Sequence, residues 1–125
     1  MNGFGFGSMI ETLKKNPKTI VLTEGTDARI LEASSRLLAS NFLKPILVGN
    51  PDEVYNAAEE AGFNIRGAQI MDPATFEDMD KMIDCFLELR KSKGVTYEQA
   101  KEMLSHANYF GTMLVKMGYA DALLG

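Results

Sequence analysis

The chain is poor in the residues that most often carry chemistry: 125 residues hold one cysteine, one histidine and no tryptophan. A lone Cys85 excludes an internal disulfide framework and any multi-cysteine metal site, so no metal is expected and a reducing cytoplasm is the expected location. The single His106 follows Ser105, with no acid clearly spaced to orient it, and reads as a capping or surface residue. Charge of one sign is also lacking. Thirteen basic residues are scattered among seventeen acidic ones, for a net charge of -4. That pattern supplies no one-sided basic patch for nucleic acid. No apolar run approaches the ~20 residues of a membrane span. Neither a G-x-G-x-x-G nor a Walker pattern is present.

What remains is ordinary globular material, 46% apolar and 24% charged, enough for one domain with a real core. The uncharged, Gly- and Phe-rich stretch Met1 to Ser8 lacks the basic start and apolar length of a secretory signal. It reads as a tag or flexible arm before a start at Met9, leaving residues 9–125 as the α/β domain. Three short apolar runs, Thr19-Ile20-Val21-Leu22, Pro45-Ile46-Leu47-Val48 and Ala68-Gln69-Ile70-Met71, read as strands, with a fourth at Ala122-Leu123-Leu124. The first two are nearly continuous in apolar residues, as strands covered on both faces should be. The fourth is expected to be a buried parallel strand as well.

Helical patterns lie between the strands. Residues 28–40 gather Ile30, Leu31, Ala33, Ser34, Leu37 and Leu38 on one face. Asn50-Pro51-Asp52-Glu53 supplies an N-cap, a first-turn proline and a capping-box acid, and Gly62 the stop. Phe76, Met79, Met82, Ile83, Phe86 and Leu87 follow the 3.6-residue period, predicting a helix over 76–91 that Gly94 closes. Cys85, inside that pattern, reads as a core filler. Thr96-Tyr97-Glu98-Gln99 is another capping box, with Val95 and Ala100 placed for a hydrophobic staple. Residues 107–117 form a last helix before Gly118. Tyr97, Tyr109 and Tyr119 fall near helix ends, their hydroxyls expected at the surface. The alternation predicts a three-layer α/β/α fold around a mainly parallel sheet.

Two segments could meet a ligand. Thr23-Glu24-Gly25-Thr26-Asp27-Ala28-Arg29 follows the first strand, where Thr26 or Asp27 should cap the next helix while Glu24 and Arg29 pair. Arg90, beside Lys91 and Lys93 at a helix end, is the best single candidate for holding a phosphate. These features leave two classes open, a small-ligand enzyme domain and a non-catalytic α/β module binding CoA or a nucleotide-like ligand.

From about Ile10 to Gly125 the chain resembles the N-terminal part of the phosphate acetyltransferase and phosphate butyryltransferase family. The resemblance rests on Thr19-Ile-Val-Leu-Thr-Glu-Gly-Thr-Asp-Ala-Arg-Ile-Leu-Glu-Ala33, Pro45-Ile-Leu-Val-Gly-Asn50, Leu87-Glu-Leu-Arg-Lys-Ser-Lys-Gly94 and Tyr109-Phe-Gly-Thr-Met-Leu-Val-Lys-Met-Gly118, followed by Ala120-Asp121-Ala122. It implies a truncated part of a two-domain enzyme, with the site between the domains. The implied reaction joins acetyl-CoA and phosphate to give acetyl phosphate and CoA. CoA, acyl phosphate and phosphate are then substrates, no cofactor is tightly bound, and the parent protein is a homo-oligomer. The reacting serine, arginine and aspartate belong to the family's C-terminal part, so no catalytic residue is expected here. Arg90 matches a family arginine linked to CoA binding. Glu24, Asp27 and Arg29 match pattern positions without an assigned role, and Thr23 stands where many members have proline. The acyl group stays open, since malic-enzyme tails share these motifs.

Overall fold

The computed structural model describes residues 18–41 and 43–124; the Met1–Ser8 arm lies outside them. Among the described residues four strands alternate with helices: β1 (Lys18–Leu22), α1 (Ala28–Ser40), β2 (Leu43–Val48), α2 (Pro51–Ala61), β3 (Gln69–Met71), α3 (Met79–Leu89), α4 (Tyr97–Leu104), α5 (Ala107–Lys116) and β4 (Ala122–Leu124). A 3-10 turn at Lys91–Lys93 links α3 to α4. The strands lie in the order β3-β2-β1-β4, all parallel.

Period-two alternation explains why β1 and β2 read as unbroken apolar runs. Val21, Ile46 and Val48 pack with Met82, Ile83, Phe86, Phe110 and Leu114 from α3 and α5. Leu22 and Leu47, one residue out of phase, pack with Leu31, Val54 and Ala58 from α1 and α2. Each strand therefore needs apolar side chains on both faces. The split of helices follows from connection handedness. The chain steps from β1 to β2 to β3 with its helices on one face, then returns past β1 to β4. A right-handed crossover in that reversed direction puts α3 to α5 on the other face.

Local signals hold at most helix ends. Asn50 accepts a hydrogen bond from the Glu53 N–H at 3.1 Å, and Gly62 closes α2 in the left-handed conformation. Thr96 and Gln99 make the reciprocal capping box, at 3.2 and 3.0 Å. Val95 and Ala100 both join the core on that face, and Cys85 packs against it, half-buried.

Two expectations need correction. The helix expected over 76–91 begins at Met79 and ends at Leu89. Phe76 instead sits edge-on to Phe110 and Tyr119, with ring centroids 5.2 and 5.4 Å away. Asp72 folds the preceding residues into a turn, its carboxylate accepting from the Ala74 N–H. Asp78 occupies the N-cap without capping, because its carboxylate accepts from the Tyr119 hydroxyl. β4 is parallel as expected but not buried. Among the described residues it lies at the sheet edge with β1 on one side, and Leu123 and Leu124 are 40% and 48% exposed.

Candidate functional site

The strand order reverses between β1 and β4, which makes the carboxyl ends of these two strands the topological switch point, the usual place for a ligand in an open α/β sheet. Three groups are candidates, and two of them directly follow β1.

The first is Thr23. It directly follows β1, is 3% exposed, and its hydroxyl has no hydrogen-bond partner among the described residues. Its methyl group lies against α5 at Gly111, where a Cβ would stand 2.9 Å from both Thr23 Cγ2 and Leu123 Cδ1. Glycine in mid-helix thus lets α5 settle onto β1 and β4 together.

The second is the turn from Glu24 to Arg29. Gly25 lies so close to the end of β2 that a Cβ would meet the Val48 carbonyl oxygen at 2.7 Å. Asp27 caps α1 by accepting from the Arg29 N–H at 2.8 Å, and its other oxygen pairs with the Arg29 guanidinium at 3.2 Å. The Arg29 side-chain hydrogen bond, then the backbone N–H, holds the Asp27 carboxyl below its ordinary value, and the same bond raises Arg29. Arg29 is therefore held by Asp27 and not by Glu24, as the sequence pattern suggested. The shorter aspartate already sits at the cap, two residues away. Glu24 stays exposed.

The third is Arg90, the residue that ends α3. Its guanidinium carbon lies 5.0 Å from the Phe86 ring centre and 5.6 Å from that of Tyr109. The two rings meet edge to face, 6.0 Å apart at 82°. They line a groove of about 250 Å³ between α3 and α5, together with Met113 and Lys116. No carboxylate pairs with Arg90 among the described residues, whereas Lys91 beside it pairs with Glu88 at 3.9 Å. The aromatic partners of the Arg90 side chain lie on α3 and α5, whereas the Asp27 and Arg29 side chains pair with each other at the start of α1. α5 touches Thr23 through Gly111 and Arg90 through Tyr109.

The Met1–Ser8 arm apart, every sequence candidate is thus placed. Phe86 was legible as an Arg90 neighbour from its i, i+4 spacing. Tyr109, nineteen positions further on, carried no such signal. His106 is exposed, at the N-cap of α5, with Nε2 3.6 Å from Glu102. Tyr119 is half-buried, its hydroxyl turned to Asp78, which raises its pKa. Among the described residues no group of three or more His, Cys, Asp or Glu side chains could hold a metal ion, and no helix is long and apolar enough to cross a membrane.

A sequence profile described as phosphate acetyl/butaryl transferase matches residues 6–125. The chain belongs to that family. Within it, the chain is 48% identical over 117 residues to a phosphate acetyltransferase of Thermoanaerobacterium thermosaccharolyticum, covering 94% of this chain and 35% of the relative. It is 43% identical over 119 residues to the phosphate acetyltransferase of Bacillus subtilis, covering 95% and 36%. Among solved structures, a phosphotransacetylase from Streptococcus pyogenes superposes with a TM-score of 0.85 at 40% identity, over 98% of this chain and 37% of that one. EutD phosphotransacetylase from Staphylococcus aureus gives 0.82 at 37% identity, over 94% and 36%. The chain spans about a third of the length of these phosphate acetyl/butaryl transferase relatives.

Proposed function

We propose that this chain is the N-terminal α/β part of a cytoplasmic, homo-oligomeric phosphate acetyltransferase, and that Arg90 contacts a phosphate of CoA. In the reaction the CoA thiolate attacks the carbonyl carbon of acetyl phosphate. A C–S bond forms, the C–O bond to phosphorus breaks, and phosphate leaves; the reverse direction makes acetyl phosphate. CoA is a substrate here and not a resident cofactor. The observation that carries the reading is the near-complete coverage of this chain by relatives named phosphate acetyltransferase. Arg90 supports it, because its five donors face no carboxylate among the described residues and its fork suits phosphate oxygens.

The described residues place no general base beside Arg90, so we propose that the reacting groups lie on polypeptide outside this chain. That same observation favours the second reading, a non-catalytic module that binds CoA or a nucleotide-like ligand. Phosphate-dependent consumption of acetyl-CoA separates the two. The chain itself should show none, and a polypeptide extended through the downstream reading frame should show it. Turnover by the 125-residue chain alone, or its absence in the extended protein, would overturn the proposal.

A further inference from the structure

We infer that Tyr109 is a positioning residue: with Phe86 it builds an aromatic corner that aims the Arg90 guanidinium at a phosphate. The inference rests on the reading of Arg90 as a CoA contact and deepens it.

An arginine side chain has many rotamers, and a mobile one loses conformational freedom when it grips an anion. Here the guanidinium is held at 5.0 and 5.6 Å from two ring centres, inside the distance at which a cation is attracted to an aromatic face. The rings stand 82° apart, so they form a corner and not a stack, and fix the cation in two directions. Attraction by ring electrons leaves the N–H groups unspent. No described carboxylate takes them up. Lys116 lines the same groove and adds a second positive charge. A fixed fork with free donors, a nearby cation and apolar walls suits a phosphate or pyrophosphate group.

Phe86 is 3% exposed and belongs to the core, so its replacement would confuse folding with binding. Tyr109 is 37% exposed, and no hydrogen bond of its hydroxyl is present among the described residues. Its ring can be changed with little cost to the fold. Tyr109→Leu keeps an apolar side chain and removes the ring; Tyr109→Phe keeps the ring and removes the hydroxyl.

The test is calorimetric titration of the 125-residue chain with CoA, for the wild type, Tyr109→Leu, Tyr109→Phe, Arg90→Ala and the Tyr109→Leu/Arg90→Ala pair. Tyr109→Leu should weaken binding roughly 2- to 10-fold, Tyr109→Phe should match the wild type, and Arg90→Ala should weaken it at least as much as Tyr109→Leu. The double variant should bind no worse than Arg90→Ala, since a positioning residue has nothing left to position. Reduced affinity in Arg90→Ala with wild-type affinity in Tyr109→Leu would overturn the inference and spare the reading beneath it. A further loss in the double variant would also overturn it, by showing that Tyr109 acts on its own. Equal affinity in Arg90→Ala and the wild type, or no binding to the wild type at millimolar CoA, would overturn both.

Discussion

Asp27 does two jobs with one carboxylate, capping α1 and holding Arg29. Both favour its charged form, so its folded pKa lies below the ordinary 3.8. A depressed folded pKa stabilises the native state above the unfolded value, and that contribution is lost as pH falls through the folded value. Asparagine also caps helices well, so Asp27→Asn isolates the charge. The wild type should be the more stable in urea at neutral pH, and the gap should close below about pH 4. A gap that persists in acid would mean that the charge is not its cause. Tyr119 runs the other way. Its raised pKa comes first from the hydrogen bond to Asp78, so stability from it is present below pH ~10 and lost as pH rises through the folded value. At Thr23 the buried hydroxyl has no described partner, and an unpaired buried polar group is destabilising. Thr23→Val should raise the unfolding free energy of this chain by about 1–3 kcal/mol. An unchanged or lower value would show that the hydroxyl is satisfied.

The elements divide by how local their signals are. α2 and α4 were legible from sequence because caps act within one turn of the chain, through Asn50, Pro51, Gly62, Thr96 and Gln99. Thr96→Ala should therefore cost about 0.5–2 kcal/mol in urea unfolding, without altering the fold. The start of α3 was not legible, because Phe76 has a helical neighbourhood in sequence and an aromatic one in space. Phe110 and Tyr119 decide its backbone, and both lie more than thirty positions away. α5 shows a related conflict at Gly111. Alanine there would gain about 0.5–1 kcal/mol of helix propensity, yet its Cβ would stand 2.9 Å from Thr23 and Leu123 side-chain atoms. Overpacking of this kind typically costs about 1–3 kcal/mol, and β4, at the edge, is the element that can give way. Gly111→Ala should thus speed amide exchange at residues 122–124 and leave β2 unchanged. Uniform exchange across the sheet would rule out a local displacement.

For the molecule as a whole, the main mismatch between sequence and structure is β4. Three apolar letters after Asp121 read as an interior strand, but burial depends on what lies beside a strand and not on its own composition. Its outer edge has no described neighbour, and two leucines are exposed there. Open, apolar edges pair with other chains, so sedimentation should show concentration-dependent association that Leu123→Lys reduces. A chain that sediments as a monomer at all concentrations would refute this. The element types, most caps, the two-sided burial of β1 and β2, and the α/β class are legible in the amino-acid sequence, since these follow from hydrogen bonds within a turn and from side-chain periodicity. Arg90 is legible there too, by its place at a helix end and by family resemblance. The strand order, the exposure of β4, the docking of Gly111 on Thr23 and the aromatic corner around Arg90 emerge only in the folded chain. Each of these joins residues far apart in the chain, and contacts of that kind arise from packing that no local pattern encodes.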